Sequence, residues 1–161
     1  MELLKMRRKD REITSLRDIT DIVDKAKILH LGLVDDGCPY VVPLHYGYVR
    51  EGNMYVFYMH SANEGHKLDL IKENSNVCIE LECDVEMISG GNVPCKYGAS
   101  YKSFIGRGCA EIVDDAQEKV KGLNIFMQHQ TRKEFDIDEA MASSVTVIRV
   151  RVEEFTAKSK L

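Results

Sequence analysis

The sequence predicts a mainly β protein of the α+β class, an antiparallel barrel with helices covering its ends. Six segments are rich in β-branched and aromatic residues, and several alternate apolar with polar residues, as strands with one solvated face do. Two turn signals, DDG at 35–37 and REGN at 50–53, join the first three segments into consecutive hairpins. Helical patterns separate the remaining strands, so the predicted order is α-βββ-α-ββ-α-β.

The first helix is predicted over residues 16–27, because Ser15 can cap it and a single apolar stripe follows at helical spacing. The first two strands cover residues 28–34 and 39–49. Pro43 lies within the second strand and cannot donate a ladder hydrogen bond, so we expect an edge, a bulge or a sheet corner there.

The third strand begins at Met54 and ends abruptly in small and polar residues before a helix over 65–73. The fourth strand, 77–87, alternates apolar and polar side chains and therefore has one solvated face. A turn-rich connection with two adjacent glycines and a proline follows at 88–99.

The fifth strand, 101–113, carries Gly106 and Gly108 on one face. The missing side chains would allow another backbone, an aromatic ring or a cofactor to approach this face closely. Three elements complete the chain: a helix from Asp114 to about Arg132, a short helix near 138–142 and a strand over 144–155.

The composition is typical of a single soluble globular domain, 1–161, with 44% hydrophobic and 30% charged residues. No apolar run is long enough to span a membrane and no secretory signal is present, so we expect a cytoplasmic protein. The net charge of −4 argues against nucleic-acid binding. The basic run from Lys5 to Arg11 is interpreted as a solvated arm or as a segment that packs on a partner subunit.

Several common types of site lack their sequence signatures. The five cysteines are an odd set without a CxxC motif, which indicates reduced thiols rather than a disulfide framework or a zinc site. His30, His66 and His129 form no HxH or HxxxH set, so no metal site is predicted. The chain has neither a P-loop nor a GxGxxG motif, and this argues against ATP or Rossmann-type dinucleotide binding.

The junction at 60–67 is the strongest candidate for a binding site. A strand ends there, and a helix begins with Gly65, His66 and Lys67. Exposed backbone N–H groups and the positive end of the helix dipole favour an anion, and Lys67 adds a full charge. A phosphate-bearing small molecule is therefore the first hypothesis for the ligand.

Neighbouring residues admit two interpretations of this junction. Ser61 can donate a hydroxyl hydrogen bond to an anion, and Ala62 keeps the approach open. A plain strand-to-helix connection, in which Asn63 caps the helix and Lys67 is solvated, is equally consistent with the pattern. The tyrosine-rich hairpin around His45 would line a flat conjugated ligand or form ordinary barrel core.

Four segments, in this order, carry a resemblance that spans roughly residues 6–155: MRRKDREI, LGLVDDGCPYVVPLHYGY, MYVFYMHSANEGHKLDLIKEN and YKSFIGRGCAEIV. Together they resemble the pyridoxamine 5′-phosphate oxidase-like, FMN-binding split-barrel family, in particular its nitroimidazole-resistance branch. HSANEGHK is the most specific part of the resemblance.

The resemblance implies a six-stranded antiparallel split β-barrel and a homodimer with one flavin at each of two sites between the subunits. FMN is the implied cofactor, with FAD and haem as alternatives. Ten residues are carried over as cofactor contacts: Val42, Pro43, Leu44, His45, Tyr58, His60, Ser61, Ala62, Lys67 and Ser103.

The resemblance also implies how these residues are used. The backbone at 42–44 is expected to face the isoalloxazine ring, and Lys67 is expected to bind the phosphate. Tyr58 and residues 60–62 are expected beside the flavin and its ribityl chain. Ser103 is a candidate contribution from across the dimer.

The implied function is that of an FMN-dependent oxidoreductase, which passes electrons from a reduced nicotinamide cofactor to a small electrophile such as a nitroaromatic. His60 is the implied catalytic residue, because it would donate to a substrate or protonate a reduced product at the end of its strand. A flavin- or haem-binding sensor or carrier without turnover is the alternative, with His45 or His60 as axial haem ligand. A dimeric structural module with a degenerate site is the third option.

Oxidation of vitamin B6 is not expected. The chain lacks the Arg-rich phosphate signature of the better-known oxidase, and its C-terminal sequence EEFTAKSKL lacks that enzyme's substrate-binding motif. Because one barrel fold supports many activities, the fold alone does not settle the function.

Overall fold

The computed structural model describes residues 4–161 and folds them around one eight-stranded sheet. The strands are β1 (Glu12–Ile13), β2 (Ile28–Asp35), β3 (Cys38–His45), β4 (Gly47–Glu51), β5 (Met54–Ser61), β6 (Asn76–Ile88), β7 (Gly98–Ile112) and β8 (Thr146–Lys160). The helices are α1 (Leu16–Lys25), α2 (His66–Glu73), α3 (Ala116–Thr131) and α4 (Glu139–Ser143). Short 3₁₀ turns occur at Lys9–Arg11 and Pro94–Lys96.

All strand pairs are antiparallel, in the order β3-β2-β6-β7-β8-β5-β4, and β1 pairs with β8. The sheet curls until β3, at one edge, contacts β5 near the other edge. Within residues 4–161 these two strands form no ladder pairing, so the barrel stays open. The architecture is an antiparallel split barrel with flanking helices, which confirms the predicted fold class.

The predicted number of six strands is corrected to eight. The segment 39–49, predicted as one strand, is divided at Tyr46 into β3 and β4, which lie at opposite edges of the sheet. The other additional strand, β1, has only two residues and is therefore too short to give a periodic pattern. Its pairing with β8 places the end of the basic N-terminal segment against the chain's own sheet.

Tyr46 forms the corner between β3 and β4. Its side chain is fully buried, and its hydroxyl lies 2.6 and 2.9 Å from the carbonyl oxygens of Val23 and Ala26, to which it can donate. Pro43 lies three residues earlier in the edge strand β3, opposite His30. The predicted sheet edge at Pro43 is therefore confirmed, while the corner itself falls at Tyr46.

Both predicted hairpin turns form. The first is the two-residue loop Asp36-Gly37, with φ values of 47° and 78°. The second contains Gly52, at a φ of 62°. Turns with positive φ match the right-handed twist of the flanking strands, so these local signals were sufficient to set the register of both hairpins.

The main core lies inside the curled sheet, where alternate side chains of the strands meet beneath α1 and α2. Its fully buried members include Leu29, Leu31, Phe57, Ile79, Leu81, Phe104, Val150 and Val152. A second, smaller cluster lies under α3 on the outside of β5 and β8 and contains Val56, Tyr58, Val113 and Val147. The helix α3 thus covers one outer surface of the barrel.

All five cysteines are free thiols. Among the residues that the structure describes, no helix has both the length and the apolar character required to cross a membrane.

The two glycines of β7 are explained by packing within the chain. A Cβ at Gly106 would lie 2.5 Å from Cγ1 of Val152 and 3.0 Å from Cε1 of Phe104. A Cβ at Gly108 would overlap the carbonyl oxygen of Arg151. The groups that closely approach these glycines are therefore strand β8 and the aromatic ring of Phe104.

Replacing Gly106 with alanine is expected to lower the free energy of unfolding by about 1–3 kcal/mol, because the added methyl group overpacks the core. Urea denaturation measures this change. The matched control is Gly32→Ala, also in a strand, where the nearest atom to the added Cβ lies 3.4 Å away. Equal losses of stability in the two variants would contradict this account of β7.

Candidate functional site

The candidate site lies where the edge strand β3, the end of β5 and the first turn of α2 come together. Strand β3 contacts β5 directly. His66 is the first residue of α2, and its Nε2 atom lies 2.7 Å from Oδ2 of Asp35. Its ring also packs edge-on against Tyr40, with ring centroids 5.1 Å apart. These contacts hold the start of α2 against the β2–β3 hairpin.

Among residues 4–161, no side chain caps the N-terminus of α2. Gly65 occupies the capping position, and its carbonyl accepts from the backbone N–H groups of Leu68 and Asp69 at 3.0 and 3.3 Å. The backbone N–H groups of His66 and Lys67 come before these two donors in the chain and lie at the positive end of the helix. This end of the helix is therefore available to an anion.

Asn63 does not cap α2, so the cap expected in the alternative interpretation is wrong. Its amide oxygen accepts from the hydroxyl of Thr146 at 3.0 Å. Its amide nitrogen lies 3.5 and 3.4 Å from the carbonyl oxygens of Ser143 and Ser144, at the end of α4. Asn63 thus fixes the loop to a distant part of the chain and leaves the helix end uncovered.

The loop between β5 and α2 is open. Residues 62–66 are exposed, while the side chain of Lys67 is half-buried. Ser61 is buried, and its hydroxyl donates to the carbonyl of Ala62 at 2.8 Å. The Ser61 hydroxyl would have to rotate away from this bond in order to donate to an anion.

The edge strand β3 supplies a second kind of binding surface. Val42 and Leu44 are half-buried and pack against the core, whereas Val41, Pro43 and His45 are exposed on the outer side. One side of the β3 backbone pairs with β2, and within residues 4–161 the opposite side takes part in no ladder. An edge of this kind presents N–H and C=O groups that can bind the polar rim of a ligand.

His60 lies at the end of β5, close to His45 at the end of β3. Its ring packs edge-on against Phe126 of α3, with centroids 4.7 Å apart. Burial lowers the pKa of His60 below its ordinary value, and the positive charge of His45 lowers it further. His45 Nδ1 lies 3.2 Å from Oε1 of Gln130. A neutral imidazole is therefore favoured at His60.

Two of the predicted contact residues lie elsewhere. Tyr58 is 2% exposed and packs under α3, where a Cβ on Gly122 would lie only 2.6 Å from the tyrosine ring. Ser103 lies in β7 opposite Glu82 and Lys158, separated from β3 by β2 and β6. The remaining eight predicted residues lie on β3, at the end of β5 or at the start of α2.

Sequence reasoning did not identify several residues that shape the site: Asp35, Tyr40, Phe126 and Gln130. Asp35 is part of a turn signal in the sequence, so only a structural role was expected for it. Phe126 and Gln130 reach the site only because α3 packs across the corner of the barrel, and no local pattern reports such a contact.

The imidazole of His60 is expected to titrate below its ordinary pKa of 6.5. Phe126→Ala should raise the pKa of His60 because it reduces burial, and His45→Gln should raise it because it removes a positive charge. NMR titration of the histidine ring protons measures both changes. A wild-type midpoint at or above 6.5 would contradict this electrostatic description.

A family model described as pyridoxamine 5′-phosphate oxidase matches residues 15–159 of this chain. The chain therefore belongs to the pyridoxamine 5′-phosphate oxidase-like family, as its motifs predicted. Among curated protein sequences, none matches this chain.

Several solved structures are similar. A protein from Bacteroides thetaiotaomicron, provisionally assigned to 5-nitroimidazole antibiotic resistance, is 31% identical, with a TM-score of 0.78, over 92% of this chain and 86% of that chain. The flavocytochrome Anf3 from Azotobacter vinelandii is 18% identical, with a TM-score of 0.76, over 98% of this chain and 72% of that one. An FAD-binding protein from Mesorhizobium loti is 20% identical, with a TM-score of 0.65, over 92% and 96% respectively. The last two likenesses bear on the fold alone.

Proposed function

We propose that this protein binds FMN and acts as an oxidoreductase that passes electrons from a reduced nicotinamide cofactor to a small electrophile such as a nitroaromatic. The observation that carries the proposal is that, within residues 4–161, no side chain caps the start of α2 and no strand pairs with the outer backbone of the neighbouring edge strand β3. The first feature suits a phosphate, and the second suits the polar rim of a planar ring.

The dimensions support this arrangement. The strand from Tyr40, which touches His66, to His45, which lies near His60, is on the order of 17 Å long at ~3.3 Å per residue. A phosphate at the α2 end and a ring system along 42–44 fit such a span. The 31% identity to the Bacteroides protein, which is provisionally assigned to 5-nitroimidazole antibiotic resistance, supports a nitroaromatic as the electrophile.

In this proposal, different residues of the chain bind the phosphate, orient the ring and transfer a proton. Lys67 and the first N–H groups of α2 bind the phosphate, and the β3 backbone orients the ring. The bound flavin supplies the hydride and electron transfer chemistry. His60, whose pKa is lowered by burial and by His45, accepts or donates a proton at the open end of the site.

A second copy of the chain is proposed as the partner. The outer sheet surface beside the site carries large exposed apolar side chains, namely Ile28, Val34, Val41 and Ile105, at 44%, 40%, 60% and 36% exposure. Apolar groups of this size are commonly covered by association. Ser103 lies on the same outer surface, far from its own β3, so a homodimer would allow it to serve the partner's site.

Lys67→Ala is expected to weaken FMN binding by tenfold or more, because it removes the charge that faces the phosphate. The quenching of flavin fluorescence on binding measures the dissociation constant. Lys72→Ala, at the opposite end of α2, is the matched control and should leave FMN affinity unchanged. Equal affinities in the two variants would contradict the placement of the phosphate.

The redox activity is tested with FMN-loaded protein under anaerobic conditions. Addition of reduced nicotinamide should bleach the flavin absorbance, and a nitroaromatic should restore it. His60→Gln is expected to slow the second step more than the first, and to remove its pH dependence near the pKa of His60.

Bound FMN that no nicotinamide reduces would overturn the enzymatic proposal in favour of a flavin carrier. A Soret band in the purified protein would indicate haem instead. Protein that neither contains flavin nor takes it up would overturn the cofactor assignment itself.

A further inference from the structure

A cluster of three potential metal ligands lies on the outer surface of β2 and β6, formed by His30, Glu80 and Glu82. His30 and Glu80 are direct cross-strand partners. Glu82 follows Glu80 by two residues and therefore projects from the same face of β6. The sheet thus brings together residues that are about fifty positions apart in the chain.

The donor atoms are close enough to share one cation. His30 Nδ1 lies 2.9 Å from Oε2 of Glu80 and 3.7 Å from Oε2 of Glu82, and one donor atom from each residue lies within 4.8 Å of the others. Nitrogen and oxygen ligands at ~2.0–2.2 Å from one zinc ion are themselves roughly 3 Å apart. Only small side-chain rotations would complete such a geometry.

The charges around the cluster also favour a cation. Two carboxylates stand beside one imidazole. A divalent ion would remove the repulsion between the carboxylates. Within one chain, the side chains of His30, Glu80 and Glu82 are 38%, 38% and 41% exposed, so an ion and its remaining water ligands can reach them before a second copy covers this surface.

We propose that His30, Glu80 and Glu82 form a binding site for one divalent cation of the zinc type. An imidazole nitrogen together with two carboxylates suits Zn²⁺ better than Ca²⁺ or Mg²⁺, which prefer oxygen ligands alone. The three protein ligands leave a coordination position for water. None of these residues belongs to the proposed flavin contacts, but the cluster lies on the outer surface that the proposed homodimer would cover, since Glu80 pairs with Ile105 and Glu82 with Ser103. The proposed homodimer would therefore enclose the bound ion.

The sequence pattern alone indicates two of the three ligands, the glutamates. The pattern Glu-x-Glu in a strand with period two places both carboxylates on one face. The register between β2 and β6 supplies the histidine, and this register is a long-range property.

The test is titration of the purified protein with Zn²⁺ by calorimetry and with Co²⁺ by visible absorption. Wild-type protein is expected to bind one ion per chain, and His30→Gln and Glu82→Gln are each expected to bind at least tenfold more weakly. His66→Gln is the matched control, because His66 pairs with Asp35 but belongs to no group of three potential metal ligands among residues 4–161. This variant should bind Zn²⁺ like the wild type.

Two results would overturn the site. Equal Zn²⁺ affinities in the wild-type, His30→Gln and Glu82→Gln proteins would exclude these ligands. An intense near-ultraviolet thiolate band with Co²⁺, lost in Cys78→Ser, would assign the ion to a cysteine on the same strand instead. Flavin content is measured separately in each variant, so failure of the metal site and failure of flavin binding are distinguished.

Discussion

The buried corner at Tyr46 is the constraint on which the rest of the structure depends. Here the chain leaves one edge of the sheet and enters the opposite edge, so the backbone must turn inside the protein, where every polar group needs a partner. The tyrosine hydroxyl bonds the end of α1, and the Tyr46 carbonyl accepts from Gln130 at 2.8 Å and lies 2.7 Å from Nδ1 of His129. Nε2 of His129 lies 3.0 Å from the Asp24 carbonyl, so the corner, α1 and α3 are joined at one point.

This junction also positions the candidate site. The backbone of α3 lies so close to Gly47 that a side chain there would overlap Cα of Phe126. Because α3 packs in this position, Phe126 contacts His60 and Gln130 contacts His45. The lowered pKa of His60 is therefore a consequence of how the corner is packed.

Much of the fold was predictable, because its signals are local. The Asp36-Gly37 turn, the Ser15 cap and the alternation in β6 each identify an element within a few residues. The division of 39–49 into two strands was not predictable in the same way. Tyr46 continues a strand-like pattern, and its role as a corner depends on partners in α1 and α3.

The residues of the candidate site can likewise be separated into those with local sequence signals and those that depend on long-range contacts. The chain alone determined the strand-to-helix junction, the lysine at its start and the proline in an edge strand, because these depend on neighbouring residues and on the geometry of one element. Only the tertiary structure decided that Asn63 turns away from α2, that Tyr58 is covered by α3, and that His30 meets two glutamates. These outcomes follow from the packing of α3 and from strand register, and both are set by contacts between segments far apart in the chain.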